Sequence, residues 1–180
     1  MRLVTVRIFR GFLWCGLALL VGCGTSSREV PVQVAGGQAI QLPRRGQGFR
    51  EAENSLAAVT NAGLTAVIQD GNKYLRWTFA FRLKRPTQLR SVRVEEVSGP
   101  AAVLLINDQA PALETSQWTG FGGLIEASAT GIPWLFDNSD TTRTFRLTIT
   151  EMSGQSYVLY QGEFYSAKKK AEMRRQYGLI

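Results

Sequence analysis

The 180-residue chain contains no histidine. That removes every Ser-His-Asp or Cys-His nucleophile and every zinc site built on imidazole. Cysteine is almost as scarce: Cys15 and Cys23 are the only two, and both lie near the start. Beyond residue 23 there is therefore no thiol for catalysis, CxxC redox chemistry, iron–sulfur ligation or a disulfide. No apolar run approaches the roughly 20 residues that a membrane-spanning helix needs. The apolar fraction of 44% and charged fraction of 19% are ordinary for a globular chain, so a folded core is expected. The chemistry left open is that of carboxylates, Ser/Lys pairs and oxygen-ligated metals.

What is present begins at the N-terminus. Arg2, Arg7 and Arg10 give a positive start with no acidic residue nearby, and Gly11 to Gly22 (GFLWCGLALLVG) follows apolar and uncharged. As a helix this run would rise roughly 18 Å, too short for a bilayer core of about 30 Å. A charged start, a short apolar stretch and small residues at its end describe a secretory signal peptide. The segment Leu20-Val21-Gly22-Cys23 resembles the lipobox of bacterial lipoproteins.

That resemblance implies a diacylglyceryl group on the Cys23 thiol, cleavage before Cys23, and an acylated amine at the new terminus. Two or more acyl chains anchor a protein stably, whereas one does so marginally. In the same family an Asp after the cysteine retains the protein at the inner membrane. Here the residue is Gly24, which implies an outer-membrane address facing the periplasm. Setting residues 1–22 aside leaves 158, enough for one domain that buries most of its surface. The formal charge of +7 includes the three early arginines, so the remainder carries +4. That is a mild bias and not a nucleic-acid footprint.

Four segments are expected: a signal peptide (1–22), a lipidated tether (23–38), a β-rich globular domain (39–165) and a basic C-terminal helix (166–180). Val30, Val32 and Val34 alternate inside the tether, which allows an edge strand there. Phe49, Ala52, Leu56 and Val59 recur at helical spacing before Gly63, so one short helix is predicted over 50–61. After Gly63 the period becomes two: Leu75, Trp77, Phe79, Phe81 and Leu83 alternate with Arg76, Thr78, Ala80 and Arg82. Asp70-Gly71 is a strong turn pair, which predicts a hairpin over 64–84. Strands follow over 88–97 and 101–107, and a second hairpin runs from Phe145-Leu147-Ile149 through Ser153-Gly154 to Phe164. The expected fold is mainly β: an antiparallel β-sandwich or partly open barrel.

Several constellations bear on chemistry. Glu126, Asp137 and Asp140 lie near aromatics and are the acids available for glycosidic cleavage; Asp137-Asn138-Ser139-Asp140 could offer oxygens to calcium. Solvated loop acids that set turns are the simpler reading. Gly120-Phe121-Gly122-Gly123 matches no phosphate-binding motif and reads as a bend or bulge. Trp118, Phe121 and Trp134 supply flat faces suited to sugar or apolar peptide, the leading ligand surface, with core packing as the competing reading. Lys168, Lys169, Lys170, Arg174 and Arg175 place five cations within eight residues and suit an anionic surface. Together these predict a membrane-anchored, non-enzymatic binding or scaffolding module with an envelope protein or glycan partner. It would carry no cofactor beyond the lipid and would not bind nucleic acid. A carbohydrate-active enzyme using Asp/Glu and an acyl-chain carrier are the alternatives.

Overall fold

A computed structural model describes residues 29–45, 48–51, 53–112 and 117–179. Among the described residues ten strands and two short helices follow one another. They are β1 (Glu29–Val34), β2 (Gln38–Arg45), β3 (Gly48–Glu51), β4 (Ala57–Gln69), β5 (Asn72–Leu83), β6 (Leu89–Glu96), β7 (Val103–Asp108) and β8 (Gln117–Glu126), then α1 (Pro133–Phe136), β9 (Thr141–Glu151), β10 (Ser156–Tyr165) and α2 (Ala167–Gln176). The strands form a seven-stranded sheet in the order β1-β2-β3-β10-β9-β6-β7 and a three-stranded sheet in the order β4-β5-β8. Every pairing is antiparallel. The fold is thus mainly β and sandwich-like, without a closed barrel. Among the described residues no helix is long and apolar enough to cross a membrane.

The expected β4–β5 hairpin is present. It turns on Asp70 and Gly71, both with positive φ, as a two-residue turn matched to strand twist requires. Leu75, Trp77, Phe79 and Phe81 are buried on one face of β5. They meet Val92 and Val94 of β6 and Phe145, Leu147 and Ile149 of β9 in one apolar cluster. The Phe145 ring joins the two sheets, 4.3 Å from Trp77 and 5.2 Å from Phe79. A second, smaller cluster holds Val32, Val34, Leu42 and Val97, with Tyr160 packed against it. The β1–β2 hairpin builds it, and its tip reaches β6's end through Ala35 N–H to Val97 C=O at 2.9 Å.

The helix expected over 50–61 is not there. β3 ends at Glu51, and by Ala57 the chain is already in β4. Asn54 explains the difference: its side-chain oxygen accepts the N–H groups of both Leu56 and Ala57, at 2.9 Å each, in a turn that leads into a strand. Leu56 and Val59 are buried as expected, from a turn and a strand instead of one helix face. The tether contains β1 as an edge strand from Glu29; residues 1–28, including Cys23, lie outside the described residues.

Candidate functional site

The aromatics of 118–136 do not form one surface. β8 alternates, so Trp118 and Phe121 point to opposite faces of the small sheet. Trp118 is buried, stacked on Phe81 at 5.2 Å, and its indole N–H donates to Asp108 at 3.1 Å. Its ring lies over Gly120, where an added Cβ would come within 2.0 Å of it, so glycine is required there. Phe121 is 54% exposed on the outer face, under the Arg76 guanidinium at 4.6 Å. Arg76 faces Leu124 while Thr78 faces Phe121, so the Gly122-Gly123 step carries the bulge expected in this stretch, inside β8. Trp118 is therefore core, and Phe121 stands apart from Trp134.

Trp134 has different company. Helix α1 sets it half-buried against the inner face of the large sheet, 6.3 Å from Trp77 and 5.0 Å from Tyr165. Beside it the inner face turns polar. Arg143 lies 5.2 Å over the Trp134 ring and forms an ion pair with Glu96. Glu163 accepts from the Tyr165 hydroxyl at 3.0 Å and from the Gln161 amide at 2.9 Å. Burial, then the Glu163 charge, pushes the Tyr165 phenol far up, so it remains a donor. Two atoms in this cluster are buried without a partner: Arg143 Nε, a donor, and Gln161 Oε1, an acceptor. Such orphans are uncommon and costly, which marks the place.

Sequence reading passed over Arg143, Gln161 and Glu163. Their signal was parity: Arg143 is in phase with Phe145, and Gln161 and Glu163 are in phase with Leu159. A charged residue in the buried phase of a strand is the informative exception.

Asp137, Asp140, Lys170 and Arg174 hold structure. Asp137 holds Lys170 and Ser139; the Lys170 hydrogen bond leads in keeping its carboxyl below the usual carboxylate range. A depressed, ionised acid is a poor proton donor. Asp140 accepts the Ala167 N–H at 2.9 Å, at the start of α2. Lys170 corrects an expectation: it is fully buried, bonded to Asp137, to Trp134 C=O at 2.8 Å and to the Thr141 hydroxyl at 3.2 Å. Arg174 is half-buried and donates to Leu135 C=O at 2.6 Å. Of the five cations, Lys168, Lys169 and Arg175 remain exposed. A mainly apolar pocket of about 200 Å³, with Lys73 and Gln176 in its lining, lies between the β4–β5 hairpin and the end of α2. Comparison with known proteins finds no family model that matches the chain and no curated protein that matches it.

Proposed function

We infer that this chain is a lipid-anchored envelope protein whose β domain is a non-enzymatic binding module for a hydroxyl-rich glycan. The lipid would sit on Cys23, and the domain would face the periplasm from the outer membrane. The observation that carries the binding reading is the orphan pair beside Trp134: Arg143 Nε and Gln161 Oε1. A hydroxyl both accepts and donates, so sugar hydroxyls match in kind the orphan donor and the orphan acceptor. The acids bear on the same choice, because Asp137 and Asp140 are committed to holding α2.

The test is retention of the purified protein on isolated cell-wall glycan and on lipopolysaccharide. Gln161→Leu removes the orphan acceptor at similar size. It should cut retention at least tenfold while leaving the melting temperature within about 2 °C. Retention on neither material, or unchanged retention by the variant, overturns the glycan reading. The anchor is tested separately: Cys23→Ser should abolish incorporation of labelled palmitate.

A further inference from the structure

β4 is an edge strand with an unusual composition. Its thirteen residues, AAVTNAGLTAVIQ, include no charge and no proline. Edge strands are normally blunted by such residues because their free N–H and C=O groups template pairing with another chain. The other edges are managed: β1 carries Glu29 and Pro31, and β7 lies against β8. Near its start β4 is bridged by Glu53 to Ala58, and at Leu64 the carbonyl accepts the Tyr177 hydroxyl at 3.3 Å. The Asp70-Gly71 turn closes the other end. Between these limits Thr65–Gln69 is free among the described residues.

We propose that this stretch pairs antiparallel with the same stretch of a second copy, making a two-fold dimer with a continuous six-stranded sheet. A five-residue segment paired with itself centres on its midpoint, Val67. Thr65 then faces Gln69 of the second copy, and Ala66 faces its Ile68. Facing residues project to the same side of the sheet. Beside Ala66 lies the 200 Å³ pocket, with the chain's own Ile68 on its rim, lined also by Leu75, Ala127, Tyr177 and Leu179 and by the polar Lys73 and Gln176. It is smaller than the roughly 300–1,000 Å³ of sites that enclose whole small molecules, and suits a single side chain. Ile68 is 74% exposed, the most exposed large apolar side chain among the described residues. In this register each copy presents Ile68 to the other's pocket. A two-fold contact uses one patch twice, and an uncharged strand carries no like-charge repulsion against itself. The inference goes beyond glycan binding and does not depend on it.

The register gives a sharp test. A residue on a two-fold antiparallel axis lies about 4.5–5.5 Å, Cα to Cα, from its own copy, inside disulfide range. The full chain carrying Val67→Cys, purified in detergent and treated with a mild oxidant, should run mainly as a reducible dimer. The unsubstituted chain and Val158→Cys, an exposed site on the other sheet, should not. Ile68→Asp should shift the protein from dimer to monomer in sedimentation with its melting temperature kept. Val67→Cys crosslinking no better than Val158→Cys overturns the proposal, as does a dimer that survives Ile68→Asp. Crosslinking in intact cells to a different protein overturns the second copy as the occupant, in favour of strand addition by a partner.

Discussion

Glu95 is an acid held almost entirely out of water, on the outer face of β6. Arg146 meets its Oε2 with two nitrogens at 2.8 and 3.0 Å, and Arg93 reaches Oε1 at 2.6 Å. Removing one partner of a buried pair strands the other, at about 3–5 kcal/mol. Arg146→Ala leaves the buried Glu95 carboxylate with only the exposed Arg93 and is expected to approach that loss in urea denaturation, whereas the exposed Glu172→Ala should lose under about 0.5 kcal/mol. At the Lys170–Asp137 pair pH is the lever. Asp137 titrates below 3.8 when folded, with the Lys170 hydrogen bond the first cause. As pH falls below 3.8 the unfolded chain takes up this proton first, so stability present above that value drains away toward the folded pKa. Lys170→Met should return the Asp137 carboxyl toward its ordinary value in a carbon-detected NMR titration; an unmoved value would place the cause elsewhere. Lys170 shows why some residues resist reading. It shares the inward stripe of α2 with Met173, but its acidic partner lies 33 residues back, where no local period can find it.

Among elements, α2 differs most from expectation. Ser166 caps it by accepting the Lys169 N–H, and Gly178, with φ +63, follows its end. The narrow stripe of Ala167, Ala171 and Tyr177 predicts a loosely held helix that could be removed freely. Instead Lys170 and Arg174 fasten it to α1, Met173 is buried in the main apolar cluster, and Tyr177 fastens it to β4. Deleting 167–180 should therefore lower the melting temperature by more than 5 °C in a thermal scan, and an unchanged value would mean the docking is not formed in solution. The anionic-surface reading narrows to Lys168, Lys169 and Arg175. Replacing all three with glutamate should weaken low-salt binding to anionic vesicles while the fold stays intact, since each cation contributes about 1 kcal/mol near such a surface. Strands were legible wherever one face is wet and one dry, as in β5 and β9. The false helix over 50–61 arose because apolar residues in a turn and the strand after it mimicked a helical period. Asn54 settled the conformation with two side-chain hydrogen bonds.

The molecule as a whole rests on two apolar clusters of unequal size, one between the sheets and one beneath the β1–β2 hairpin. Phe79 belongs to the first and is nearly inaccessible, so Phe79→Ala is expected to lose about 3–5 kcal/mol in chemical denaturation. The smaller cluster has fewer apolar contacts to lose, and local opening follows that inequality. Amides of β1 and β2 should exchange with deuterium well before those of β5 and β9; equal protection would mean both clusters open together. The sandwich was visible in the sequence as paired alternations, but the order of strands was not. Which strand lies beside which depends on pairings such as β3 with β10, set by contacts more than a hundred residues apart.

The early start of β1 also sets a height. With lipid on Cys23, as proposed, at most five residues, 24–28, would separate it from the strand already formed at Glu29. Fully stretched, they span about 20 Å at most. The domain would then ride close over the headgroups like a boat on a short mooring. Whatever it meets would then have to lie within that narrow layer, or be long enough to reach down into it.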